Sequence, residues 1–267
     1  MFGKTLRVLL LVTTVTATVE AQVQDTILKK SPLLTGKDAL LLGAFTLGTA
    51  VVAPIDRQVA SRLQYPGTQE NRFLRTAATG FRVLAVPGSL IAGAAIYGIG
   101  RADGQARIQA LGLHSVQSIL IADVLGGAIK MVAGRQRPYV DINKPYDFQL
   151  WRGFKGHEFQ SFPSGHTINA FAFASTVTRE SQFWWPHSGF YVGTVFYGGA
   201  SLMGLSRIYN NQHWASDVIA GAAIGTLIGL KVVKYTHSHP DNTLDKRLIR
   251  PKAPKAMSTP LVFTIKF

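Results

Sequence analysis

Six long stretches of this chain are apolar or helix-forming, and their lengths leave room for little other than a bundle of helices. Ala39 to Ile55 and Val83 to Gly100 are uncharged and apolar, and Ile108 to Gly134 reads as a third helix carrying Asp123 and Lys130. Ser164 to Thr178 opens a fourth, Gly189 to Leu205 is a fifth apolar stretch, and His213 to Val233 is a sixth helix. Runs of this length match what an α-helix needs to cross a bilayer, about 17–25 residues. On the sixth helix Gly221, Gly225 and Gly229 recur every four residues, a small-residue stripe that lets a neighbouring helix come close. The connections are polar. Asp56 to Arg82 carries Arg57, Arg62, Arg72, Arg75 and Arg82, Arg101 to Arg107 is a short turn, and Arg135 to Phe162 is a long loop containing Pro138, Pro145 and Gly153. Phe183-Trp184-Trp185-Pro186 forms a turn whose aromatics suit a membrane interface. The expected fold is all-α, a helical bundle of about six core helices, membrane-embedded or membrane-associated.

The flanks read differently. Residues 1–21 have a basic start at Lys4 and Arg7, a short apolar core and small residues at Val19-Glu20-Ala21, which is the pattern of an export signal. Residues 22–37 form a polar lead-in, 38–235 the helical domain, and 236–267 a basic tail whose last residues alternate like a half-buried strand. The formal net charge of +14 fits nucleic acid, an anionic membrane surface or a phosphorylated substrate. No recognition helix, aromatic RNA-binding motif or zinc finger accompanies it, so nucleic acid is not an expected partner. The absence of cysteine excludes disulfides, thiol catalysis and Cys-based metal sites. A mean hydropathy of +0.16 is high for a soluble enzyme and low for a chain made mostly of membrane spans.

Three short motifs carry the chemistry. In Ser206-Arg207-Ile208-Tyr209-Asn210-Asn211-Gln212-His213-Trp214-Ala215-Ser216-Asp217, a helix beginning near Gln212 would put His213 and Asp217 on one face, one turn apart. A carboxylate there would accept one imidazole proton and leave the other nitrogen free to attack. In Lys130-Met131-Val132-Ala133-Gly134-Arg135-Gln136-Arg137-Pro138, Lys130 and Arg137 stand two helical turns apart, and Pro138 forces the chain out of the helix. Taken alone this is also what a snorkelling lysine and a loop arginine look like. In Pro163-Ser164-Gly165-His166-Thr167 a loop enters a helix. Its first amides suit an anion, Gly165 permits close approach, and His166 can give a proton to a leaving oxygen. The same five residues also describe an ordinary N-cap. Together the motifs supply three cations, a backbone nest and two histidines, the set that phosphoryl transfer to a side chain requires. No carboxylate cluster accompanies them to hold Mg²⁺, so Arg and Lys must carry the charge.

The pattern Lys-x6-Arg-Pro, Pro-Ser-Gly-His, Ser-Arg-x5-His-x3-Asp resembles that of the type 2 phosphatidic acid phosphatase / vanadium haloperoxidase superfamily. The motifs span residues 130–217. The resemblance implies a metal-free phosphatase in which His213 is the nucleophile that forms a phosphohistidine and Asp217 orients it. It implies that His166 protonates the leaving alcohol and later activates water, while Lys130, Arg137, Ser164, Gly165 and Arg207 bind the phosphate. No cofactor is implied, except vanadate in a haloperoxidase alternative. The substrate expected is a phosphorylated lipid at a membrane of the cell envelope, in the inner membrane with an outward-facing site. A soluble periplasmic acid phosphatase acting on small phosphate esters is the other alternative. His114, His157, His187, His237 and His239 fall outside the motifs, and Asp123 either pairs with Lys130 or faces a polar cavity.

Overall fold

The structure is a computed structural model and describes residues 34–250. The export signal, most of the lead-in and the strand expected at the end of the tail lie outside the described residues. The six expected core helices are all present: α1 (Gly36–Val52), α5 (Ser89–Asp103), α6 (Ala106–Ala133), α7 (Gly165–Trp184), α8 (Gly189–Tyr209) and α9 (Ala215–Ser238). The arginine-rich segment between α1 and α5 folds into three short helices, α2 (Asp56–Leu63), α3 (Pro66–Gln69) and α4 (Arg72–Val83), and α10 (Thr243–Leu248) follows the core.

Local chemistry sets several of these boundaries. Asp38 accepts hydrogen bonds from the Thr35 backbone N–H at 2.6 Å and from its hydroxyl at 2.7 Å, closing the start of α1. The same carboxylate pairs with Lys231 of α9, tying the first core helix to the last. α5 and α6 both stop at glycines in the left-handed region, Gly104 at φ 71° and Gly134 at φ 55°. At Gly134 no other residue fits, because a Cβ would stand 2.0 Å from the Gln149 carbonyl oxygen. Several boundaries differ from the sequence expectation, among them the start of α5 at Ser89 rather than Val83, and two of them bear on the site. α6 ends at Gly134, four residues before the proline credited with breaking it, and α9 begins at Ala215 rather than near Gln212.

α7 is the centre of the bundle and packs against α6, α8 and α9, while α5 lies on α6 and α1 on α9. Its buried face is largely polar or small: Thr167, Asn169, Ser175, Thr176 and Glu180 lie beside Ala170, Ala172 and Ala174. Thr176 donates to Ser118 of α6 at 2.7 Å, and Tyr197 of α8 donates to Ser175 at 2.9 Å. Small and hydroxylated side chains at helix contacts let backbones approach and bond across the interface. The glycine stripe of α9 works in the same way. A Cβ at Gly225 would stand 2.2 Å from the Ile168 carbonyl oxygen, and one at Gly229 would stand 2.6 Å from that of Ala172.

The outer faces are the reverse. Leu40, Leu47 and Val51 of α1, Ile91 and Ile99 of α5, Val124 of α6 and Phe190, Tyr191 and Val195 of α8 are all exposed. Three segments, Gly36–Leu63, Ala106–Ala133 and Ala215–Ser238, are long and apolar enough to cross a membrane by length and composition. α6 and α8 end, and α7 and α9 begin, at the same end of the bundle, which is where the three motifs meet.

Candidate active site

Because α6 stops at Gly134, Arg137 lies on the loop rather than two turns along the same helix from Lys130. The two cations are nevertheless brought together. Lys130 Nζ donates to the Pro163 carbonyl and, at 3.2 Å, to that of Gln160. Arg137 Nη2 reaches the same Gln160 oxygen at 3.4 Å, and its Nη1 donates to Gln212 Oε1 at 2.7 Å. The loop between α6 and α7, not helical register, makes the pair.

The lysine stem crosses the first turn of α7. A Cβ on Gly165 would lie 3.4 Å from Lys130 Cε, so glycine here keeps the helix start close to the ammonium. Ser164 sits at the N-cap position but does not cap. Its hydroxyl accepts from Thr167 Oγ1 at 2.8 Å, and its backbone N–H donates to the Asp217 carbonyl at 3.1 Å. The amides that open a helix have no intrahelical acceptor and form a site for an anion. His166, half-buried on this turn, lies within electrostatic reach of Arg207, Lys130, Arg137 and Arg82. Arg82, exposed near the end of α4, is a further cation at the site that its motif-free sequence context did not single out.

Arg207 comes from the last turn of α8 and is only 5% exposed. Its Nε and Nη1 are buried with no hydrogen-bond partner among the described residues, and so is Arg137 Nε. Buried guanidinium donors without acceptors are costly, and a tetrahedral oxyanion held between the two arginines satisfies them.

His213 is buried just before α9. Its Nδ1 donates to the Ser161 carbonyl at 2.7 Å, whereas Asp217 Oδ2 is 3.8 Å away. Asp217 therefore does not take the ring proton by direct hydrogen bond, which differs from the one-turn helical pairing expected from the sequence, because the helix starts at Ala215. The backbone carbonyl fixes the tautomer and leaves the Nε2 lone pair free. Burial pushes the His213 pKa down to about 3; Asp217 opposes this, and Lys130 and Arg137 reinforce it.

Asp217 is the hub of the framework below the histidine. It accepts from Arg135 Nη1 at 2.5 Å, from Ser161 Oγ at 2.5 Å and from the Trp214 N–H at 2.9 Å. It thus holds the residues on both sides of His213, including the one whose carbonyl orients the ring. Arg135, 2% exposed, also reaches Asp56 of α2 at 2.9 Å and Ser216 Oγ at 2.8 Å, and Asp56 Oδ1 accepts from the Ser216 N–H at 2.9 Å. Trp214, fully buried, donates its indole N–H to the Gln136 carbonyl at 2.8 Å.

Every expected residue thus falls at this one end of the bundle. Sequence reasoning missed the supporting set of Arg135, Ser161 and Asp56. The available signal was weak: a second arginine inside the first motif, a serine just ahead of Pro163, and a lone carboxylate at the end of an apolar run. Asp123 is exposed on α6, and no ion pair joins it to Lys130 among the described residues.

Comparison with known proteins matches residues 111–240 to the family model of the PAP2 superfamily. A lipid A 1-phosphatase of Porphyromonas gingivalis is 40% identical over 114 residues, which are 42% of this chain and 22% of the relative. An undecaprenyl-diphosphatase of Sulfolobus acidocaldarius is 30% identical over 142 residues, 53% of this chain and 63% of the relative. The chain therefore spans less than two thirds of either relative. The crystal structure of a transmembrane PAP2-type phosphatidylglycerolphosphate phosphatase from Bacillus subtilis shares the fold, with a TM-score of 0.57 and 22% identity over 75% of this chain and 96% of that one.

Proposed function

We propose that the chain, whose residues 111–240 match the family model of the PAP2 superfamily, is a membrane-embedded phosphatase that removes phosphate from a phosphorylated lipid through a phosphohistidine. The observation that carries the reading is the pair of arginines: Arg207 Nε and Nη1 and Arg137 Nε are buried without a partner among the described residues, near a neutral, oriented His213. Arg137, Arg207, Lys130, the Ser164 hydroxyl and the amides at Gly165 surround the equatorial oxygens. His213 Nε2 attacks phosphorus in line with the leaving oxygen, and His166 gives that oxygen its proton. His166 then takes a proton from water, which attacks the phosphohistidine and releases inorganic phosphate and neutral His213. The developing negative charge is met by fixed cations, so these residues need no metal for this step.

The lipid substrate is supported by the exposed apolar faces of α1, α5, α6 and α8 and by relatives named for lipid A and undecaprenyl diphosphate. The same faces favour embedding over a soluble periplasmic form. The test is phosphate release by the detergent-purified chain without added Mg²⁺, comparing a long-chain lipid phosphate with a small aryl phosphate. The lipid is expected to react at least about tenfold faster in kcat/KM, and His213→Ala to lose about 10³-fold or more of kcat, the scale on which removing a nucleophile acts. Activity retained in His213→Ala would remove the proposed mechanism. Equal rates on the two substrates would leave the phosphatase and remove the lipid preference.

A further inference from the structure

At the opposite end of the bundle lies a second convergence of ionisable groups that the phosphate chemistry does not use. His114 stands sixteen residues before Lys130 on α6, about 24 Å along the helix axis. It meets Glu180 near the end of α7 and His237 near the end of α9, and the three place their ligand atoms within 4.8 Å of one another. His114 and Glu180 are buried, at 2% and 0% exposure. We propose that His114 Nδ1, His237 Nε2 and a Glu180 carboxylate oxygen form a binding site for a divalent transition metal of the zinc type, which clasps α6, α7 and α9 together.

The hydrogen-bond inventory carries the argument. His114 Nε2 faces Asp245 Oδ2 of α10 at 3.1 Å, while Nδ1 faces Glu180 Oε1 at 2.5 Å. Without a metal, a protonated His114 can donate to both carboxylates; binding the ion would release the Nδ1 proton, leaving Nε2–H on Asp245 and the Nδ1 lone pair as a ligand. His237 Nε2 lies 3.0 and 2.9 Å from the two oxygens of the same carboxylate. Trp184 Nε1 already donates to Glu180 Oε2 at 3.1 Å. A cation between the two imidazoles and the carboxylate satisfies all three at once. A carboxylate on the far nitrogen of a metal-binding histidine is the usual outer support, because it fixes the tautomer and the ring direction. Glu180 and Asp245 together carry two negative charges, which offset part of the cost of burying the ion.

Two nitrogens and one oxygen select zinc-like ions over Mg²⁺ or Ca²⁺, which take oxygen. Tetrahedral zinc separates its ligand atoms by about 3.3 Å; the imidazole–carboxylate contacts at 2.5 to 3.0 Å would part by less than about 1 Å, and the two imidazole nitrogens already lie within 4.8 Å of each other. The fourth position has room: His114, His237, Asp245, Trp184 and Thr236 line a cavity of about 510 Å³.

The experiment is metal analysis of the full chain purified in detergent without chelator, followed by titration with ZnCl₂ after dialysis. About one equivalent of zinc is expected, with a higher thermal midpoint when zinc is added. Glu180→Gln and His237→Ala should lose both. Asp245→Asn lies on α10 outside the bundle core, so it should fold and bind zinc about ten- to hundredfold more weakly. Lys246→Ala, in the same cavity, should bind as the parent does. A parent chain that takes up no zinc and shows no change in midpoint overturns the site, as does unchanged affinity in Glu180→Gln and His237→Ala. If those two fail to fold, Asp245→Asn decides alone: weakened binding supports the site and unchanged affinity overturns it.

Discussion

At the scale of single residues, the candidate site separates the proposed nucleophile from the side chains that hold it. His213 is oriented by a backbone oxygen, and the carboxylate beneath it acts on the frame: Asp217 binds Ser161 and Trp214 and is itself held by Arg135. This arrangement has a consequence for pH. A histidine whose pKa falls from an ordinary value near 6.5 to about 3 binds fewer protons when folded than when unfolded. Its contribution to stability is therefore complete above about pH 6.5 and is lost as pH falls toward about 3. The His213 imidazole proposed as nucleophile is neutral well above about pH 3. We expect no acid limb in kcat/KM near pH 6.5, with His213 protonation entering only below about pH 5, since this parameter reports the free enzyme. A profile of kcat/KM from pH 4 to 8 checks it, and an acid limb centred near 6.5 would contradict the buried neutral imidazole.

Among the helices, the decisive contact is α9 against α7, because each presents one half of the site from its first turn. A Cβ at Gly221 would come within 2.8 Å of the Ser164 carbonyl oxygen, so the glycine stripe sets the distance between the two helix starts. Backbone on the facing helix cannot swing aside as a flexible side chain would. Gly225→Ala, with its Cβ 2.2 Å from the Ile168 carbonyl oxygen, should therefore cost about 1–3 kcal/mol as an overpacked contact. Gly198→Ala on α8, where nothing lies within 4 Å, should be neutral or stabilising by up to about 1 kcal/mol, from helix propensity alone. Thermal midpoints of the two variants in the same detergent compare them directly, and equal midpoints would show that α7 and α9 are not in close backbone contact.

Over the whole molecule, the described residues place many polar side chains inside and many large apolar ones outside. The central helix α7 buries Thr, Ser, Asn and Glu, while Leu40 is 75%, Val124 76% and Phe190 77% exposed on the perimeter. In water this distribution is unfavourable, since the perimeter would keep its apolar area hydrated. In a bilayer it is the stable one, because buried polar groups bond to each other and the outer faces meet acyl chains. The protein is expected to stay in the membrane pellet through an alkaline carbonate wash and to enter solution only with detergent. Recovery in the aqueous supernatant would contradict the membrane placement.

The sequence by itself determined the helical class, the six core elements to within about six residues, and which motif residues the bundle gathers at one end. Periodicity, glycine spacing and motif spacing are local, and a helix converts them into position at a fixed rise per residue. Where the local rule ended, the reading did too. Lys130 and Arg137 were expected to meet along a helix, and they meet because the loop from Gly134 to Pro163 folds back under both. His213 and Asp217 were expected to bond across one helical turn, and they are joined instead through Ser161, more than fifty residues away in sequence from either. Arg135 and Asp56 were unreadable for the same reason, as were His114, Glu180, His237 and Asp245. Each is an unremarkable residue until the bundle brings it to a partner from another helix, and burial then makes that partner obligatory. Tertiary structure alone decided which charges are paired, which guanidinium donors remain open among the described residues, and that ionisable groups converge at both ends of one bundle.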